Sequence, residues 1–339
     1  MKHIKITLSV LAFAIFAFNA QARDQIKIVG SSTVYPYATV VAETFGKTGK
    51  FKTPVIESTG TGGGMKLFCA GVGTNHPDIT NASRAIKSKE KALCKKNGVT
   101  EIIEIVVGND GISFAHSVNS PDIDFSKEQL WRALAHEVDV DLVANPYKKW
   151  SDIDSSLPSK KIEILIAPPT SGTRDAWNSL VMGKGCSKAA KSLFEDNGKK
   201  AKKECAKMRE DGYAVEAGEN DTLIVQKLAS NPDAYGFFGY SYLVANKDKI
   251  KAATINGVKP SLEGIQDYSY PIARPLFFYV KKAHIGVVPG IEEFVKAFTS
   301  KKAMGPRGYL AEIGLVPLAK DKYKAIRTAA LKLETISIK

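Results

Sequence analysis

The chain has 339 residues and a formal net charge of +13, from 48 Lys and Arg against 35 Asp and Glu. That length accommodates two domains of ordinary size, each with its own core. The charge suits nucleic acid, a membrane surface or an anionic small ligand. The lysines are scattered, however, and the densest run, GKKAKKECAKMRE at 198–210, is interleaved with acids like a solvated helix face, which argues against nucleic acid.

At the start of the chain, Lys2 and Lys5 precede the apolar LSVLAFAIFAFNA, and Ala20-Gln21-Ala22 closes the segment. A basic region, a short apolar region and an A-x-A ending predict a secretory signal peptide over residues 1–22. The apolar stretch is too short to span a membrane, and no Cys follows the cut. The mature chain is expected to be soluble and periplasmic. Removing Lys2 and Lys5 from the 48 basic residues leaves 46 against 35 acids, a net +11.

DQIKIVGS then predicts a strand and YPYATVVAETFGK a helix ending near Gly46. KTPVIEST predicts a strand and GGMKLFCAG a short helix stopped by Gly71. PDITNAS and TEIIEIVVGNDGISFAHS are strand-like, dense in Ile and Val. KKIEILIAPP is a further strand, followed by the helix RDAWNSLVMG, where Ala176, Trp177, Leu180 and Val181 recur at helical spacing. This alternation predicts an α/β architecture with mostly parallel sheets. There is no internal repeat, low-complexity segment or Pro/Gly-rich linker. Two domains would be joined by short crossings of extended chain, at VVGND near residue 108 and YPIARPLFFYV near 275.

The four cysteines, Cys69, Cys94, Cys186 and Cys205, form an even set in an exported chain, which suggests disulfides with three possible connectivities. Proximity favours Cys69–Cys94 and Cys186–Cys205. None of the spacings is the C-x-x-C of a zinc site.

Three strand-to-helix turns repeat one chemistry: Ser31, Ser32 and Thr33; Ser58, Thr59, Gly60 and Thr61; Thr170, Ser171, Gly172 and Thr173. The first N–H groups of a helix lack internal partners and its dipole favours negative charge there. An anion at such a turn is held by backbone N–H and hydroxyls together, and in open α/β sheets these turns gather at the ligand crevice. Each turn taken singly reads as an ordinary N-cap. Three together, one continuing into Gly62, Gly63 and Gly64 and one into Arg174, point to an anion site. The three glycines permit close approach of backbone to a ligand.

GTGGGMK lacks the ending of a Walker loop and fits no G-x-G-x-x-G, and TSGTR is not a nucleophile elbow. Arg84 follows a strand and Arg174 opens a helix; each guanidinium suits two oxygens of a tetrahedral oxyanion. The alternative partner is an internal carboxylate such as Asp175 or Asp110. His136 sits in no metal spacing, and no Ser-His-Asp set is visible. Neither a catalytic residue, a metal site nor a cofactor is expected.

GSSTVYP, STGTGGGMKLFCAG, ITNASRAIK, SGTRDAW, LIVQKLASNPDAYGFFGYSYL and GYLAEIGLVPL occur in this order. Together they resemble the periplasmic phosphate-binding proteins that feed Pst-type ABC importers, over nearly the whole mature chain. The resemblance implies a two-lobed α/β fold of the type II periplasmic binding proteins, with mixed, mainly parallel sheets flanked by helices. The chain crosses the hinge more than once: lobe 1 is 23–107 with 275–339, lobe 2 is 108–274. It implies a phosphate site built from Ser32, Thr33, Val34, Thr61, Ser171, Gly172 and Thr173. In the best-known members an aspartate at the position of Arg84 accepts the phosphate proton, and the main arginine stands where this chain has Ala167. Here Arg84 and Arg174 are the expected cations. Asp110 is the expected proton acceptor, ahead of Glu219 and Asp221, or else it orients Arg84.

The expected function is therefore high-affinity binding of inorganic phosphate, by a monomer that closes its lobes and delivers the anion to the permease subunits of an importer. The alternatives are the same fold tuned to sulfate or molybdate, an exported phosphatase, and a structural or adhesive surface protein.

Overall fold

The computed structural model describes residues 23–138, 143–169, 171–218 and 221–338. The expected signal peptide, Thr170 and Glu219 lie outside these residues, as does the side chain of Asp221. Eleven strands are formed among the described residues: β1 (Lys27–Gly30), β2 (Val55–Ser58), β3 (Ile79–Ala82), β4 (Ile102–Ser117), β5 (Asp124–Phe125), β6 (Ile164–Ile166), β7 (Ala214–Glu216), β8 (Tyr235–Gly239), β9 (Ile250–Ala252), β10 (Thr254–Ile255) and β11 (Ala273–Lys281). Nine of them make one sheet in the order β2-β1-β3-β11-β4-β8-β6-β7, with β9 also on β4.

The pairs β1–β2, β1–β3, β6–β7 and β6–β8 are parallel, as strand–turn–helix alternation requires. The sheet is mixed because the long β4 and the returning β11 run antiparallel to each other and to their outer neighbours. β4 pairs β11 through its first part and β8 and β9 through its second. The Ile- and Val-rich run thus becomes one continuous strand serving both halves of the sheet.

The apolar cores change over along these two strands. One contains Ile28, Phe45, Phe68, Ile103 and Val107, and resumes at Leu276, Phe278 and Phe298. The second contains Ile112, Phe114, Trp131, Trp177, Phe237 and Ile272. A smaller third cluster includes Leu165, Ile224 and Phe238. The architecture is a two-lobed α/β fold, with the cores meeting along β4 and β11.

Helix formation follows the periodicity. Tyr35–Gly46 has a proline in its first turn and buries Ala38, Val41, Ala42 and Phe45. The helix Gly60–Phe68 ends three residues before Gly71. It lies so close to β1 that a Cβ on Gly64 would meet Gly30 Cα at 2.4 Å and Thr80 Oγ1 at 2.6 Å. Gly64 therefore serves helix–strand packing rather than approach to a ligand. Both expected disulfides are formed, Cys69–Cys94 and Cys186–Cys205.

Candidate functional site

β1 delivers the turn Ser31–Val34, which is fixed by Ser31 N–H donating to Asn81 O (3.0 Å) and Tyr35 N–H to Ser31 O (3.0 Å). β6 delivers the turn before the helix Gly172–Trp177, whose Trp177 anchors it by stacking on Phe237 with ring centroids 4.1 Å apart. The two turns meet. Thr33 Oγ1 donates to Gly172 O at 3.2 Å, and a Cβ on Gly172 would lie 2.5 Å from Thr33 Cα. Ser32, Thr33, Asp110, Ser171, Gly172 and Thr173 line one cavity of about 460 Å³, with Ser58, Ser241 and Gly314 on its other walls.

The N-cap alternative holds for one turn only. Ser171 Oγ accepts from Thr173 N–H at 3.2 Å. The helices Tyr35–Gly46 and Gly60–Phe68 have no side-chain cap bond. The buried hydroxyls of Ser31 and Thr59 have no hydrogen-bond partner among the described residues. Thr61 takes a different role, with its Oγ1 accepting from Ser83 N–H (3.0 Å) and sitting 3.0 Å from Ser83 Oγ. Val34 is buried in the first apolar core.

Two expected cations are engaged elsewhere. Arg84 forks onto Glu90, with Nη1 2.8 Å and Nη2 2.6 Å from the carboxylate oxygens. Glu90 lies in the first turn of the following helix, Ser88–Lys96, where a carboxylate is favoured, and also accepts from Lys87 N–H. The internal-carboxylate alternative thus describes Arg84, though with Glu90 in place of Asp175 or Asp110. Arg174 is buried and its Nη1 donates to Ala167 O at 2.9 Å. It lines a separate cavity of about 420 Å³ with Met208, Arg209, Glu210 and Glu216.

Among the described residues, a cation bonded to the cleft lining is Arg274, which sequence reading missed. It is 7% exposed, and the β4–β11 register sets it opposite Asp110. Nε donates to Asp110 Oδ2 (3.1 Å), Nη2 to Thr33 Oγ1 (3.0 Å), and Nη1 to Asp175 Oδ2 (3.4 Å) and Ser179 Oγ (3.5 Å). A charged residue inside the apolar run ARPLFFYV was the available signal, because a buried guanidinium needs partners. Burial pushes the Asp110 carboxyl above its ordinary pKa, against the opposing pull of Arg274. Asp110 therefore binds a proton more readily than a surface aspartate does.

Chemically, the arrangement brings together hydroxyls, a helix-opening turn, one buried guanidinium and one buried carboxylate. His136 is exposed. Among the described residues no group of three His, Cys, Asp or Glu is placed to hold a metal ion, and no helix is long and apolar enough to cross a membrane.

Fold and cleft together define a two-lobed substrate-binding receptor. The chain matches the PBP superfamily domain over residues 18–302 and belongs to that superfamily. Protein SphX of Synechococcus elongatus is 30% identical over 302 residues, covering 87% of this chain and 78% of that protein. The phosphate-binding protein PstS of Staphylococcus epidermidis is 31% identical over 289 residues, covering 83% and 77%. A possible phosphate binding protein from Planctomyces limnophilus superposes with a TM-score of 0.73 at 28% identity, covering 92% of this chain and 99% of that one. An ABC-type phosphate transport receptor from Vibrio cholerae shares the fold, with a TM-score of 0.62 at 18% identity, covering 86% and 99%.

Proposed function

We propose that this protein is an exported, monomeric receptor that binds inorganic phosphate without changing it and delivers it to the permease subunits of an ABC importer. Kinship with PstS and SphX supports the ligand class. The observation that carries the reading is the meeting of Thr33 with the Ser171–Thr173 turn over the Arg274–Asp110 pair. Buried oxyanions must have their oxygens satisfied. The proposed donors are Ser32, Thr33, Ser171, Thr173 and the N–H groups around Val34 and Gly172; Thr61, held on Ser83, is left out of the set. Arg274 takes the place first given to Arg84 and Arg174.

Asp110 is the proposed acceptor of the phosphate proton. Phosphate near neutral pH still carries a proton and sulfate does not, so a buried acceptor is satisfied by one and left unpaired by the other. The proposed lobes are 23–107 with 275–339, and 108–274, closing by bending where β4 and β11 cross. Secretion with removal of residues 1–22 belongs to the same proposal.

Equilibrium dialysis of anion-stripped protein against radiolabelled phosphate tests the reading. Saturable binding of one phosphate per chain is expected. Its absence, or turnover of a chromogenic phosphate ester, would contradict it.

A further inference from the structure

Asp175 Oδ2 accepts from two donors, Ser83 Oγ at 3.3 Å and Arg274 Nη1 at 3.4 Å. The donors come from different parts of the chain. Ser83 follows β3 on the side of the first core, Arg274 lies on β11, and Asp175 belongs to the helix whose Trp177 is packed in the second core. Ser83 Oγ is itself 3.0 Å from Thr61 Oγ1, which accepts from Ser83 N–H. If Ser83 Oγ donates to Asp175, it must receive its own bond from the Thr61 hydroxyl. The result is a directed chain, Thr61 to Ser83 to Asp175, that ends on a carboxylate beside a guanidinium.

We propose that Asp175 is an affinity-setting residue of the same cleft, an internal carboxylate that competes with the bound anion for Ser83 and Arg274. Its place in the first turn of the helix Gly172–Trp177 suits a negative charge. Its bonds are long and its side chain is 55% exposed, so it can release the donors in exchange for a ligand. While it holds them, it ties the Ser83 side of the cleft to the helix that carries Ser171 and Thr173. An arriving oxyanion must take over Ser83 and Arg274 and meets a second negative charge unless Asp175 turns outward. Asp175 therefore sets how strongly an anion must bind before the cleft re-forms around it. The competition rests on the phosphate reading above, whereas the bridge does not.

Two measurements separate these parts. In calorimetric titration, Asp175→Asn keeps the side chain's size but removes the competing charge, and should bind phosphate about 3- to 10-fold more tightly than the parent. In small-angle scattering of anion-stripped protein, Asp175→Ala and Ser83→Ala should both show a larger radius of gyration than the parent. Unchanged or weaker phosphate binding by Asp175→Asn would overturn the competition, and an unchanged radius in both alanine variants would overturn the bridge. A parent protein silent to phosphate would sink the phosphate reading and leave scattering, which needs no ligand, to decide the bridge.

Discussion

Arg274 draws on four side chains from three segments, and that arrangement makes it the residue whose loss should cost the most. Arg274→Ala removes the cation of the cleft and leaves Asp110 buried without its partner. Truncating one member of a buried charge pair costs about 2–5 kcal/mol, so phosphate affinity should fall by about 30-fold or more in titration. Arg84→Ala, which frees only Glu90, should change it far less. Sequence reading placed the hydroxyl turns but put the charge at Arg84 and Arg174, because arginines beside turns look available. It could not see that Glu90, six residues on, captures one and that Ala167 O takes a bond from the other. Lys281 is a second buried cation, 0% exposed, its Nζ without a hydrogen-bond partner among the described residues and 4.9 Å from the Phe68 ring. Burial lowers its pKa to about 8. A lysine whose pKa is lowered on folding penalises the fold while protonated, and the penalty lifts as pH rises from the folded value towards the unfolded one. Denaturant unfolding should therefore show stability rising between about pH 8 and 10 from this group. Lys281→Met should be more stable at pH 7 by about 1–3 kcal/mol and lose that slope.

At the scale of elements, two glycines at close backbone contacts should respond differently. A Cβ on Gly64 collides with the backbone of Gly30 inside one lobe, so Gly64→Ala should lower stability by about 2 kcal/mol or more. A Cβ on Gly172 collides with Thr33 across the cleft. Gly172→Ala should leave the melting temperature nearly unchanged and weaken phosphate binding at least about tenfold, since a 1 Å misplacement of a turn is expensive for a preorganised site. Comparing thermal melts with titrations of both variants checks the pair. The elements themselves were largely readable. Buried positions in Tyr35–Gly46 recur at helical spacing, and the strands carry Ile and Val between turn residues. The Gly62–Gly64 run was harder, because a glycine that admits a ligand and one that admits a strand look alike in sequence. Arg274 was hidden for a related reason: its neighbours identify β11 as a strand, but only the register with β4 sets it opposite Asp110.

At the scale of the molecule, the ordered motifs pointed to a two-lobed receptor, and the cores change over along β4 and β11 as such a receptor requires. The excess of basic residues should attract a scarce anion from a distance. The association rate measured by stopped flow should accordingly fall as ionic strength rises, because the Debye length shrinks to about 8 Å at 0.15 M. The central claim is that Asp110 and Arg274, facing each other across β4 and β11, make the cleft a receptor for an anion that carries a proton. It is tested most directly by calorimetric titration of the anion-stripped protein and of Asp110→Asn, each with phosphate and then with sulfate. Tight phosphate binding with sulfate silent is predicted for the parent protein, and a narrowed difference between the two anions for Asp110→Asn. Equal binding of phosphate and sulfate by the parent, or undiminished discrimination in Asp110→Asn, would contradict it.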